Sequence, residues 1–279
     1  MTKNLKSCQW LAENATKVTV LDAGIVKPGE EGIYSPPGVI PGALRFDISN
    51  VLSEASATLP NMMCSARVFQ TEMRQLGINA SDTVVVYDDK GLFSAARAWW
   101  MFKSMGFDQV FVLDGGLKQW QKLGYEVVPH YAQATQIGSF TSFARNHYFV
   151  DKEHVLASIE CPDILLLDAR GETRFSGIGR EPRAGMRSGH IPNSANMPYT
   201  SVLTEEGKLK PIADLKILLK KAGVTEGVTT LQFSCGSGIT ACILALVALE
   251  CGYSDLQVYD GSWSEWGQLS DYPVSVGRA

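Results

Sequence analysis

The segment Val112-Leu-Asp114-Gly115-Gly116-Leu-Lys-Gln-Trp120 returns 146 residues later as Val258-Tyr-Asp260-Gly261-Ser262-Trp-Ser-Glu-Trp266. The same offset relates Val-Thr-Val-Leu-Asp22-Ala to Ile-Leu-Leu-Leu-Asp168-Ala, and Leu-Gly77-Ile-Asn to Ala-Gly223-Val-Thr. At Ile40-Pro41-Gly-Ala and Ile191-Pro192-Asn-Ser-Ala the offset is 151. One loop is therefore five residues longer in the second half, and the stretch after it five shorter. A common offset at several separate places marks a duplication. Two similar domains are expected, 1–127 and 147–279. Residues 128–146, rich in Gln, Ser, Thr and Ala, are expected to form the linker.

Each half alternates two periodicities. Short β-branched or apolar runs end at or near an acidic or small polar residue: Val18–Asp22, Val84–Asp88, Val110–Asp114, Ile164–Asp168, Thr229–Phe233 and Leu256–Asp260. These have the length and composition of buried parallel strands. Helical patterns lie between them at Ala66–Leu76, Ser94–Met105, Ile212–Lys221 and Ile239–Cys251. Gly77, Gly106, Gly223 and Gly252 stand where helix C-terminal caps belong. The alternation predicts an α/β protein with two tandem domains. Each should have a mainly parallel β-sheet flanked by helices on both faces.

Composition narrows the function classes. Of 279 residues 45% are hydrophobic and 19% charged, which is globular usage rather than disorder or coiled coil. The net charge is −4, so no basic excess points to nucleic acid or an anionic membrane. No apolar run approaches the roughly 18 residues of a membrane span. The N-terminal residues carry no apolar signal core, which makes the cytoplasm the expected compartment. Six cysteines (Cys8, Cys64, Cys161, Cys235, Cys242, Cys251) in a chain of this size do not form the pattern of a disulfide scaffold. None lies in a C-x-x-C or His/Cys cluster with zinc spacing, so no metal is expected.

Duplicated halves can be compared position by position. After the Val84–Asp88 run the first half reads Asp88-Asp89-Lys-Gly-Leu-Phe-Ser-Ala. After Thr229–Phe233 the second reads Ser234-Cys235-Gly236-Ser237-Gly238-Ile239-Thr240-Ala. At an offset of 146, Cys235 faces Asp89. A cysteine at the C-terminal end of a strand lies where open α/β sheets bind ligands. The Gly-Ser-Gly turn lets successive N–H groups point inward as an anion nest, and the following helix adds its positive end. Such surroundings favour the thiolate, which is the nucleophilic form. The other cysteines, including Cys242 and Cys251 on the next helix, read as small core residues.

A second feature is Arg170-Gly-Glu172-Thr-Arg174-Phe-Ser-Gly-Ile-Gly-Arg180-Glu181-Pro-Arg183-Ala-Gly-Met-Arg187, with five arginines in 18 residues. By itself it could be a solvated loop balanced by Glu172 and Glu181. In the same half as the cysteine loop, it suggests guanidinium forks for an anionic substrate. His190 could pair with the cysteine, but a structural or capping role is the expectation. Trp99, Trp100, Trp263 and Trp266 read as core.

Other functions fit less well. Gly236-x-Gly238-x-x-Ala241 after a strand mimics a dinucleotide fingerprint. Only 19 residues follow Asp260, too few for the rest of a nucleotide-binding half. A cysteine phosphatase loop would need arginine at position 241, which is alanine. A non-catalytic interaction module describes the first half better than the second.

The remaining chemistry is thiol-based group transfer, and here the chain resembles tandem-domain rhodanese-type sulfurtransferases, above all those that use 3-mercaptopyruvate. The resemblance rests on Ala-Arg97-Ala-Trp-Trp-Met-Phe, Asp168-Ala-Arg, Glu-Pro-Arg183, Gly-His190-Ile-Pro, Tyr-Asp260-Gly-Ser-Trp-Ser-Glu-Trp-Gly and, most specifically, Cys235-Gly-Ser-Gly-Ile-Thr240. Thiosulfate-preferring relatives carry basic residues in that loop, whereas here it is neutral. The resemblance implies that Cys235 becomes a persulfide. The N–H groups of Gly236, Ser237, Gly238, Ile239 and Thr240, with the Ser237 and Thr240 hydroxyls, would stabilise the anionic sulfur. Arg174 and Arg183 would hold the substrate's carboxylate and carbonyl. A thiol, cyanide or thioredoxin would accept the sulfur. It implies no cofactor, and a monomer is the expected state. Some mercaptopyruvate enzymes of the family use an Asp–His–Ser triad. The first half here has no histidine before His130, and Val39 precedes Ile40-Pro41-Gly42-Ala43, so no triad is carried over.

Overall fold

The computed structural model describes residues 2–30, 32–268 and 270–277. The chain divides into two compact units. Unit 1 comprises residues 1–56, 63–145 and 203–209, and unit 2 comprises 57–62, 146–202 and 210–279. The stretch expected as a linker belongs to unit 1 as far as Arg145. Val128 bridges to Val39, and Phe140 is buried against Phe69, Phe102 and Phe107. One buried phenylalanine and backbone pairing outweigh the polar composition that suggested a free connection.

Unit 1 holds strands β1 (Leu5–Lys6), β2 (Thr19–Asp22), β3 (Leu44–Arg45), β4 (Val84–Tyr87) and β5 (Val110–Leu113) in the parallel order β1-β5-β4-β2-β3. Its helices are α1 (Cys8–Asn14), α2 (Ala66–Gln75), α3 (Ala95–Ser104) and α4 (Gly116–Lys122). Unit 2 repeats the topology with β6 (Phe149–Val150), β7 (Ile164–Asp168), β8 (Ala195–Asn196), β9 (Thr230–Ser234) and β10 (Leu256–Tyr259), ordered β6-β10-β9-β7-β8. Its helices are α5 (Lys152–Ser158), α6 (Glu172–Phe175), α7 (Ile212–Lys221), α8 (Ala241–Glu250) and α9 (Ser262–Trp266). The two-residue edge strands and the shortest helices fall below the length at which periodicity can be read.

Gly77, Gly106, Gly223 and Gly252 all have positive φ and end α2, α3, α7 and α8, as expected of C-terminal caps. Helix α8 is buried from Ala241 through Ala248, so it carries no polar face. The four tryptophans Trp99, Trp100, Trp263 and Trp266 are core residues, and so is Val39. No helix among the described residues is long and apolar enough to cross a membrane.

Sheet register corrects one correspondence. Asp22 pairs with Tyr87 in unit 1, and its counterpart Asp168 pairs with Ser234 in unit 2. The central strand is thus offset by 147 while its neighbours keep 146. Two loop bonds agree: Leu117 N–H donates to the Asp88 carbonyl, and Trp263 N–H to that of Cys235. Cys235 therefore corresponds to Asp88 rather than Asp89. The loop after the strand is one residue shorter in unit 2, and this restores the 146 offset at α3 and α8. A constant offset carried through the turn hides a single-residue deletion inside it, and a lone identity across it, Gly91 with Gly238, is too weak a signal to reveal the shift.

Candidate active site

The direction of strand connection reverses between β7 and β9, the place where open α/β sheets bind ligands at the strands' C-terminal ends, and Cys235 lies there, immediately after β9. It is 2% exposed. Gly238 has φ +71°, a backbone state that favours glycine, and α8 begins only at Ala241. The predicted helix start at Ile239 is therefore two residues early. Gly236 lies beside Arg174: a Cβ there would be in ordinary contact with Nη2, at 3.4 Å. Ser237 is 4% and Ile239 3% exposed, and Thr240 is half-buried at the helix start.

Three loop contacts come from residues distant in sequence. Ser262 Oγ accepts from the N–H groups of both Cys235 and Gly238, each at 3.1 Å. Gly238, expected among the donors to sulfur, thus directs its N–H to a side chain instead. Asn61 Nδ2 donates to Ser237 Oγ at 3.3 Å, from the short segment 57–62 that belongs to unit 2. Nothing in the local sequence around Asn61 or Ser262 announces these roles. Only long-range folding brings them to the loop.

The arginine cluster separates into distinct parts. Arg170 is buried: it grips the Asp168 carboxylate at 2.6 Å, donates to Glu181 at 2.9 Å and to the Gly189 carbonyl at 2.8 Å, and lies over the Trp263 ring. Arg187 donates to the carbonyls of Trp266, Gly267 and Tyr272. Arg180 is exposed. Arg174 reaches the cysteine loop, oriented by Glu181, which accepts from both its Nε and Nη2. The half-buried Arg183 lies within the electrostatic reach of Arg174 and Cys235. Loss of water and the like charge of Arg174 hold its guanidinium below the ordinary arginine range, an effect opposed by a thiolate on Cys235. Of the two arginines expected to bind substrate, Arg174 thus lies beside Gly236 of the loop, and Arg183 lies within electrostatic range of Arg174 and Cys235.

His190 is structural, as expected: its Nδ1 is 2.8 Å from the Phe175 carbonyl and its ring stacks on Phe175. Burial pushes the thiols of Cys8 and Cys64 up to about 11 and about 12, and that of Cys251 up as well. These thiols are poorly placed for ionisation. Among the described residues no group of three or more His, Cys, Asp or Glu side chains could hold a metal ion.

Asp88 reveals what the loop is built to bind. Its Oδ1 accepts from Lys90 N–H at 2.8 Å. Its Oδ2 accepts from the N–H groups of Phe93, Ser94 and Ala95 at 2.7–2.9 Å. Four convergent donors hold one internal anion. At the matching place in unit 2 stands Cys235, with Ser237, Ile239, Thr240 and Ala241 at the donor positions.

Comparison with known proteins agrees in both halves. The rhodanese-like domain family matches residues 7–123 and 151–269. The chain is 36% identical to the 3-mercaptopyruvate sulfurtransferase of Escherichia coli K12, covering 95% of each. It is 37% identical to the thiosulfate sulfurtransferase of Bos taurus, covering 94% of this chain and 91% of that one. The crystal structure of the Escherichia coli 3-mercaptopyruvate sulfotransferase superposes with a TM-score of 0.84 at 33% identity, covering 95% of this chain and 100% of that one.

Proposed function

This chain belongs to the rhodanese family in both of its halves, and from that premise we propose that it is a 3-mercaptopyruvate sulfurtransferase with Cys235 as its nucleophile. The thiolate of Cys235 attacks the sulfur of 3-mercaptopyruvate. A sulfur–sulfur bond forms and the carbon–sulfur bond breaks. Its electron pair passes to carbon as the enolate of pyruvate, which takes a proton from solvent. A thiol or cyanide then attacks the outer sulfur of the persulfide and leaves as a new persulfide or thiocyanate, regenerating the thiolate. A protein thiol such as that of thioredoxin is chemically equivalent as an acceptor. The two half-reactions share one covalent intermediate, so ping-pong kinetics are expected.

The observation that carries this reading is the Asp88 carboxylate in its four-donor nest. A loop of the same design around Cys235 would stabilise a thiolate or persulfide with fixed N–H dipoles. The loop supplies no charge of its own. That favours a donor whose charge is a carboxylate remote from the sulfur, held by Arg174 and Arg183, whose mutual repulsion an anion relieves. Thiosulfate, the donor named for the bovine relative, is the second reading.

The test replaces Cys235 by Ser and follows two products: pyruvate from 3-mercaptopyruvate, and thiocyanate from thiosulfate with cyanide. The variant should release neither while remaining folded. Normal pyruvate release by Cys235→Ser would refute the assignment. Higher kcat/KM for thiosulfate in the unaltered protein would reverse the order of donors.

A further inference from the structure

Ser262 opens α9 with φ +49°. Among the described residues three non-glycines have positive φ, and the other two, Asn61 and Asn193, are of the type that tolerates it. Serine does so less readily, and this one is completely buried. A hydroxyl has one proton and two lone pairs. Ser262 commits all three: its Oγ accepts from Cys235 N–H and Gly238 N–H and donates to the Tyr259 carbonyl at 2.8 Å. No capacity is left for a substrate, so the residue can act only through the loop.

Unit 1 has Gly116 at this position, with φ +54°. A Cβ there would overlap the Asp88 carbonyl oxygen and stand 2.8 Å from that of Gly91. Asp88 and Gly91 are the counterparts of Cys235 and Gly238. The same turn therefore faces the same two loop residues in both units, but only unit 2 inserts a side chain. The need differs as well. In unit 1 the Asp88 carboxylate organises the loop from inside the nest. In unit 2 the nest has to remain available to sulfur, so order has to come from outside it.

We propose that Ser262 is a positioning residue that fixes the Cys235 loop by drawing the N–H groups of Cys235 and Gly238 away from the nest, leaving the remaining donors converged on sulfur before substrate arrives. Retaining a strained serine where the duplicate uses glycine is the kind of cost that persists at functional sites. The inference rests on Cys235 being the nucleophile.

The test uses Ser262→Gly, which copies unit 1 and releases the strained φ, and Ser262→Ala, which keeps the Cβ and loses only the hydroxyl. Both should lower kcat for 3-mercaptopyruvate about tenfold or more, because preorganised donors are lost in the transition state. KM should stay within roughly twofold, because Arg174 and Arg183 still bind the carboxylate. Near-UV circular dichroism should match that of the parent. Parental kcat in both variants overturns the proposal. So does a loss carried by KM alone, or a loss that follows the unfolded fraction. Cys235→Ser, assayed in parallel, separates the two levels. Activity in that variant sinks the nucleophile itself. An inactive Cys235→Ser beside a fully active Ser262→Gly sinks only the role of Ser262.

Discussion

The two units place different residues in the same turn. In unit 1 Asp88 closes the nest with its own carboxylate, and the neighbouring carboxylates at the strand ends are partnered as well. Tyr34 lies where a Cβ on Gly24 would go, its hydroxyl within 3.2 Å of both Asp22 and Asp89, and Tyr131 caps Asp22 at 2.9 Å. In unit 2 the counterpart of Gly24 is Arg170, whose guanidinium satisfies Asp168 from one side and leaves the C-terminal ends of β7 and β9 to the loop and Arg174. One scaffold thus holds an anion permanently, while its copy is arranged to accept one. The lesson is that the nest is intrinsic to this strand–turn–helix geometry, and that the residue at the strand end decides whether it is occupied.

The largest effect should come from making unit 2 like unit 1. Cys235→Asp should abolish sulfur transfer from either donor, and the carboxylate should take up the loop N–H groups without lowering Tm. Measurable pyruvate release by this variant would break the comparison. A smaller effect is expected at the guanidinium pair, which unit 1 lacks. Arg183→Ala should lower kcat/KM for 3-mercaptopyruvate roughly 10- to 150-fold, the value of one charge-assisted contact at about 1.5–3 kcal/mol. The loss should be less with thiosulfate, and equal losses would argue against a carboxylate clamp. The smallest effect on activity should follow opening the filled nest. Asp88→Ala strands four N–H donors and should destabilise the protein by about 3 kcal/mol in a denaturant melt. Steady-state turnover by the folded protein should be nearly unchanged. A large fall in kcat would mean that Asp88 has a part in catalysis that its position in unit 1 does not explain.

Much of this was legible from residue patterns. The offset of 146 requires two copies, and the strand and helix runs that were long and strongly periodic fall within about two residues of where they form. Cys235 and its glycine-rich turn stand out because their signals are local, whereas Arg174 and Arg183 are picked out of the arginine cluster only by the family resemblance. Other features are not legible in this way. Arg170 and Arg187 look the same as Arg174 in sequence, yet their guanidinium groups are committed to Asp168, Glu181 and backbone carbonyls. A constant offset points to Asp89 while the fold pairs Cys235 with Asp88, because the missing residue lies within a turn, where only inter-strand hydrogen bonds fix the register. Asn61 and Ser262 reach the loop from 176 and 27 residues away.

The sequence by itself determined the duplication, the parallel α/β architecture and the choice of thiol chemistry. These follow from short-range periodicity and from a nucleophile placed between a strand and a glycine turn. Tertiary structure alone decided which arginines face the site, that Asp88 is the true counterpart of Cys235, and that a buried hydroxyl holds the loop. Those outcomes depend on which polar groups meet once the sheet has formed. Pairing of that kind is set by geometry across the fold, where adjacent letters carry no signal.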